Sequence, residues 1–212
     1  MEKEISKATV ARMPLYLRFL QEENSKGSLY ISSAVIAQNI SVSAVLARKD
    51  LAIVSSEAGR PRLGFRVNRL IADIEKFLGY DSESEVIIVG AGGLGRAFLG
   101  YEGFKPNGLK IVAAFDCNEK LVGMEIAGKP VLPIRDMEKF IAERKIRIGI
   151  ITVPKNAAQE VLDKMVSAGI KAVWNFAPAP LRAPKGIVLQ TEDLAASLAI
   201  LAGKVCKVAD DR

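Results

Sequence analysis

Apolar positions recur at helical spacing early in the chain. Ile5, Val10, Met13, Leu17 and Leu20 predict a long first helix over residues 6–24, with Ser6 as its N-cap. Pro14 lies inside that pattern and should either kink the helix or mark its start after a short preliminary turn. Gly27 breaks the pattern, and Ser32-Ser33 caps a second short helix carrying Val35, Ile36 and Ile40. A tight turn at 39–41 leads to Ser43, the cap of a third helix through Val45, Leu46, Leu51 and Ile53. Residues 55–65 form a glycine-bounded, arginine-bearing hairpin candidate, and residues 67–78 a further amphipathic helix ended by Gly79. Residues 80–84 read as a linker.

Beyond the linker the pattern changes. Near-continuous apolar runs at 85–89, 109–115, 146–153 and 171–174 alternate with predicted helices at 93–101 and 157–168, as strands of a buried parallel sheet do. A last helix, about 191–207, is apolar through Leu194, Leu198, Ile200, Leu201 and Val205, which suits packing on its own sheet or a subunit interface. The fold expected is α/β: a winged helix-turn-helix domain at 1–79, a Rossmann-type doubly wound parallel sheet at 80–190, and a C-terminal helix at 191–212.

Charge sharpens the first half of this reading. Residues 1–79 hold 12 Lys and Arg against 8 Asp and Glu. Within residues 43–70, Arg48, Lys49, Arg60, Arg62, Arg66 and Arg69 face only Asp50 and Glu57. A patch of that density suggests a polyanionic partner. The third helix would offer Ser43, Arg48 and Lys49 to phosphates and guanine edges, and Arg60 and Arg62 on the wing would reach an adjacent groove. A solvated helix face would show the same residues, but the hairpin that follows favours double-stranded DNA.

Composition excludes other classes. Half of the 212 residues are hydrophobic, enough for two compact units. No stretch approaches the run of about 18 apolar residues that a membrane span needs, and Met1-Glu2-Lys3-Glu4 does not open a signal peptide, so no membrane partner is expected and the chain should be cytoplasmic. Cys117 and Cys206 lack partners at metal-ligand spacing and read as reduced and structural, so no metal site is expected. There is no histidine, which removes the commonest general base, and no catalytic residue is assigned.

The second half carries its own chemistry. The strand at 85–89 runs into Gly90-Ala91-Gly92-Gly93-Leu94-Gly95, the G-x-G-x-x-G fingerprint of a dinucleotide site. Gly90 makes the tight turn, Gly92 lets the backbone approach a pyrophosphate and Gly95 lets the helix pack on the strand. The next strand ends in Asp116, with Cys117 beside it. A carboxylate there accepts both hydroxyls of an adenosine ribose and repels an extra phosphate, so NAD is favoured over NADP. Ligands of open parallel sheets lie beyond the carboxyl ends of the strands. That places Thr152-Val153-Pro154 and Asn175-Phe176-Ala177-Pro178 on the nicotinamide side.

Taken together, these blocks resemble one known family over nearly the whole chain, the bacterial redox-sensing transcriptional repressors of the Rex type. The resemblance is carried by Ser6-Lys7-Ala8-Thr9, Leu15-Tyr16, Ile31-Ser32-Ser33, Arg48-Lys49-Asp50-Leu51, 90–96, Tyr101-Glu102-Gly103-Phe104, 112–116, Thr152-Val153-Pro154, Ala157-Ala158-Gln159-Glu160, 168–171, 175–178 and Asp193-Leu194-Ala195. It implies a homodimer on palindromic operator DNA, NAD and NADH as regulatory ligands, release from DNA by NADH, and a C-terminal helix swapped between the partner's two domains. It also implies that Arg18, Tyr101 and Asp193 form the switching set, the carboxylate holding the arginine in one domain arrangement and the tyrosine hydroxyl in the other. The chain departs from the family at Ala52-Ile53-Val54-Ser55, where Ser-Tyr-Phe-Gly is usual, in the wing Gly59-Arg60-Pro61-Arg62-Leu63-Gly64-Phe65, and at Ala47. These departures leave the operator sequence open. The competing readings are a small NAD-dependent oxidoreductase and a CoA-binding or other nucleotide-binding module.

Overall fold

The computed structural model describes residues 5–80 and 83–210, with side chains of the last helix as far as Val205. Asp81 and Ser82 of the expected linker, Met1 to Glu4, and the side chain of Cys206 lie outside the described residues. The chain divides into two compact units, Met1–Ser82 and Glu83–Arg212.

In the first unit, α1 (Lys7–Ser25) starts where Ser6 accepts a hydrogen bond from the Thr9 amide, and it runs through Pro14 without a break in the helix. Its buried face is Thr9, Met13, Tyr16, Leu17 and Leu20. The expected stripe was therefore out of phase at its start: Ile5 and Val10 are exposed, and Tyr16 takes the inward position one turn before Leu20. Strand β1 (Tyr30–Ile31) pairs antiparallel with β2 (Phe65–Arg66), and between them lie α2 (Ser33–Asn39) and α3 (Ala44–Val54), capped by Ser32 and Ser43. The turn between these helices places Ser41 at φ 56°. Helix α4 (Val67–Leu78) closes the unit and ends at Gly79 with φ 73°. The core joins Met13, Leu17 and Leu20 to Ile36, Leu51, Leu70 and Ile74.

In α3 the phase differs from expectation too. Ala47, Asp50 and Leu51 point inward, while Val45 and Ile53, expected in the core, are 62% and 49% exposed. The tip of the wing is tight: the Arg60 amide donates to the Gly64 carbonyl at 2.7 Å, the Gly64 amide returns the bond at 2.9 Å, and Arg62 adopts φ 65°.

The second unit is built on β3 (Ser84–Val89), β4 (Leu109–Asp116), β5 (Glu125–Ile126), β6 (Lys129–Pro133), β7 (Ile148–Ile151), β8 (Ala172–Asn175) and β9 (Val188–Thr191). The sheet order is β5-β6-β4-β3-β7-β8-β9, all neighbours parallel except the edge pair β5 and β6. Successive crossovers run from β3 outward to β6 and then return to the other side of β3. The carboxyl ends of β3 and β7 thus flank the topological switch point of a Rossmann fold. Three helices cover the sheet: α5 (Gly93–Leu99), α6 (Met137–Arg144) and α7 (Ala158–Ala168). The chain crosses from β8 to β9 without a helix. It passes from β4 to β6 through the β5 hairpin, so the double winding is incomplete at both edges.

The last helix, α8 (Leu194–Asp210), starts later than expected, because Thr191 still pairs with Asn175 in the sheet. Leu194, Leu198, Ile200, Leu201 and Val205 are all more than half exposed on it. Among the described residues no helix is long and apolar enough to cross a membrane.

Candidate functional site

At the switch point a cleft of about 700 Å³ opens beyond the strands. Gly90 leaves β3 at φ 102°, and its backbone meets Thr152, whose hydroxyl donates to the Gly90 carbonyl at 2.7 Å. Gly92, which lines the cleft, caps α5 in an extended conformation, so the N-terminal end of that helix begins at the cleft. Behind the turn, Gly95 packs directly on the strand: a Cβ there would lie 1.9 Å from the Gly90 carbonyl oxygen.

The Asp116 carboxylate is held at the end of β4. Oδ2 accepts from the Ala91 amide at 2.7 Å and Oδ1 from the Asn118 amide at 2.8 Å. These bonds fix its orientation and leave lone pairs for ribose hydroxyls. Of the sequence-assigned residues, Gly90, Gly92, Asp116, Cys117, Thr152, Val153, Pro154, Phe176 and Pro178 line the cleft. Cys117 is exposed.

The other assigned residues are not among those lining the cleft. Ala91 is fully buried, and Gly93, Leu94 and Gly95 belong to the first turn of α5. Asn175 is buried and bonds Ala177 from both ends of its amide, Oδ1 accepting from the Ala177 amide at 2.9 Å and Nδ2 donating to the Ala177 carbonyl at 3.1 Å. Asn175 and Ala177 hold the 175–178 loop in shape, and Phe176 and Pro178 are its members facing the cleft.

Sequence reasoning missed the far end of the cleft. Asn118, Leu121 and Ile134 line it, as do Ala157, just before α7, and Glu160, Val161 and Lys164 along one face of that helix. Their spacing of three and four residues was the available signal. Glu160 and Lys164, 2.7 Å apart, look in sequence like an ordinary exposed helix pair.

The first unit carries the basic face. Ser43 spends its hydroxyl capping α3, accepting from the Leu46 amide at 3.2 Å. Arg48 and Lys49 are exposed. A groove of about 630 Å³ runs between α3 and the wing, lined by Ser32, Ser33, Arg48, Ala52, Arg60 and Arg62 among others. The Arg60 guanidinium lies 5.4 Å from the centre of the Tyr30 ring, which steadies it at the groove edge. Arg69 is engaged elsewhere, 3.7 Å from Asp73. Arg48, Lys49, Arg60 and Arg62 form no ion pair among the described residues.

Asp50 does not temper this face as the charge count assumed, since it is turned inward and pairs with Arg12 at 2.6 Å. Burial pushes its carboxyl up, but hydrogen bonds from Arg12, Tyr16 and Thr9 outweigh that and hold it below the usual carboxylate range. The Tyr16 hydroxyl, buried against the same carboxylate, is pushed up to about 12. Ala52, noted in the sequence as a departure from the family, is exposed and lines the groove, whereas Val45, expected in the core because it is apolar, is exposed on α3.

The three residues of the implied switch are described within their own units. Arg18 is exposed on α1, 3.5 Å from Glu22. Tyr101 is 58% exposed and packs edge-on to Phe104, with ring centres 4.9 Å apart. It follows α5 in a non-helical conformation, outside the helix expected to contain it. Asp193 accepts from the Ala196 amide at 2.8 Å and so caps α8.

Two families match in succession. Residues 4–52 match the family described as a putative DNA-binding protein N-terminus, and residues 81–179 the CoA binding domain family. The redox-sensing transcriptional repressor Rex of Treponema denticola is 41% identical over 193 residues, 91% of this chain and 91% of its own length. This chain belongs to the Rex family of redox-sensing transcriptional repressors. The Rex protein of Bacteroides fragilis is also 41% identical, over 93% of this chain and 90% of its own. The Rex-family repressor RSP, solved with β-NAD+ and operator DNA, superposes with a TM-score of 0.91 at 35% identity over 98% of this chain and 95% of its own. RSP solved with β-NADH gives 0.85 at 34% identity, over 98% and 97%.

Proposed function

We propose that this Rex-family chain binds palindromic operator DNA as a homodimer in the cytoplasm and is released when NADH replaces NAD in the switch-point cleft. Residues 1–79 act as the DNA-binding part, 80–190 as the nucleotide-binding part and 191–212 as the dimerisation helix. The observation that carries this reading is the pairing, in one chain, of a cationic recognition helix and wing with an NAD-type cleft. RSP, bound to β-NAD+ with operator DNA and separately to β-NADH, supplies the precedent. DNA contacts fall to Ser43, Arg48, Lys49, Arg60 and Arg62. Exposed apolar positions along α8 suit a second copy of the chain.

The cleft supports a sensor over an enzyme. Its titratable lining groups, Asp116, Cys117, Glu160 and Lys164, are on the end of β4 and on α7, the end of the cleft that this reading assigns to the adenosine. The other end offers Thr152, Phe176, Pro178 and glycine backbone, which supply no general acid for hydride chemistry. Asp116 also favours NAD over CoA, whose ribose carries a phosphate that the carboxylate would repel.

Arg18, Tyr101 and Asp193 are the proposed switch. A carboxylate that alternates between a guanidinium and a phenol hydroxyl biases two arrangements differently when nucleotide occupies the cleft. Ligand choice is tested by thermal shift, because a ligand raises the Tm only through its affinity for the folded state. NADH and NAD are expected to raise it, and Asp116→Ala to abolish both effects. A rise with CoA alone would replace the nucleotide assignment.

A further inference from the structure

Behind the face that carries Arg48 and Lys49 lies a charged cluster that the functional reading leaves unused. Asp50 is 2% exposed, and each of its carboxylate oxygens accepts two hydrogen bonds. Oδ2 accepts from Arg12 Nε at 2.6 Å and from the Tyr16 hydroxyl at 2.9 Å. Oδ1 accepts from Arg12 Nη2 at 3.0 Å and from the Thr9 hydroxyl at 3.1 Å. All three donors stand on the inner face of α1 and the acceptor stands on α3.

The cluster is an unusual way to attach a helix. Besides Asp50, the buried residues of α3 are Ala47 and Leu51. Ala44 and Val54 pack on the same core from its edge, and four small or aliphatic side chains hold a helix without the directional constraint of a polar bond. A two-pronged guanidinium–carboxylate pair fixes direction as well as distance. Net stability does not explain it, because apolar residues of similar volume commonly stabilise a buried position as well or better. What the cluster adds is orientation. Successive helix residues are about 100° apart, so pinning Asp50 inward turns Lys49 and Arg48 outward by construction.

We infer that Asp50, clasped by Arg12, Tyr16 and Thr9, is a positioning residue that sets the rotation and height of the recognition helix in the groove of DNA. One triplet, Arg48-Lys49-Asp50, then contains both the groups that meet the operator and the group that aims them. This rests on the operator-binding reading above.

The test compares the affinity of the full-length protein for a duplex from upstream DNA of its own genome with that for a scrambled duplex of equal length. Asp50→Asn is expected to lower operator affinity at least about tenfold and scrambled-duplex affinity less than about twofold, with far-UV circular dichroism and NADH affinity unchanged. A merely structural role would not move that ratio in protein that remains folded. Tyr16→Phe, which keeps the ion pair, should cost about threefold in the same ratio. If Asp50→Asn does not fold, the double variant Arg12→Met with Asp50→Leu leaves no unpaired charge and carries the same expectation. An unchanged ratio in folded Asp50→Asn, or in the double variant, overturns the inference. Failure of the wild-type protein to prefer its operator instead overturns the DNA-binding reading on which it rests.

Discussion

Gly92→Leu is expected to abolish the response to NADH while the protein stays folded and bound to its operator, whereas Gly95→Ala is expected to destabilise the nucleotide-binding unit itself. The two glycines are three residues apart and differ in what a side chain would meet. At Gly92 the φ of −71° suits any residue, and a Cβ would find no protein atom within 4 Å. The space beside it belongs to the cleft, where a pyrophosphate would rest on the first amides of α5. A leucine fills that space without straining the fold, so NADH affinity should fall about 100-fold or more, roughly 2.8 kcal/mol, with little change in Tm.

At Gly95 the Cβ would sit 1.9 Å from the Gly90 carbonyl oxygen and 3.1 Å from Thr152 Oγ1. The first of these is backbone at the end of β3, so α5 must lift off the sheet. That overpacking costs about 3 kcal/mol and should lower the Tm by roughly 10 °C. Calorimetry and NADH titration of both variants check the pair. Normal NADH binding by Gly92→Leu would place the pyrophosphate elsewhere.

Arg48→Ala is expected to reduce operator affinity by about 10- to 100-fold and scrambled-duplex affinity far less, because the guanidinium is free of acid partners among the described residues and lines the groove between α3 and the wing. A base-reading arginine loses about 1–3 kcal/mol of discrimination when truncated. A phosphate-contacting residue instead weakens all sequences alike and lowers the slope of affinity against salt by about one, which is the result expected for Lys49→Ala. Equal losses on operator and scrambled duplex in Arg48→Ala would reassign it to the phosphate backbone.

Much of this molecule was legible in the sequence wherever a signal is local. Ser6, Ser32 and Ser43 cap the helices they were expected to cap, because a short hydroxyl before an apolar period satisfies the first amides of a helix. The glycine turn, the strand ending in Asp116 and the loop at Thr152 were legible because apolar runs of a buried parallel sheet announce themselves.

What escaped depends on partners distant in sequence. The short strands β5 and β9 lie at the sheet edges and β6 lies beside one, and none of the three is buried along its whole length, so they lack a continuous apolar run. Asp50 read as a solvated counter-charge because only the fold brings Arg12 to it. Val45 read as core because it is apolar, although the inward face of α3 is set by Ala47, Asp50 and Leu51. Glu160 and Lys164 carry no local signal of a site beyond their helical spacing, because only the fold brings their helix face to the cleft.

The central claim is that the nucleotide in the cleft is a signal that sets occupancy of DNA. Coupling of that kind is a difference in affinity between two states and is reciprocal. The direct measurement is operator binding by fluorescence anisotropy at a fixed total concentration of NAD plus NADH, with their ratio varied. Operator occupancy is predicted to fall steadily as NADH replaces NAD. Occupancy that stays constant across the whole range, while titration shows NADH bound, would contradict the account.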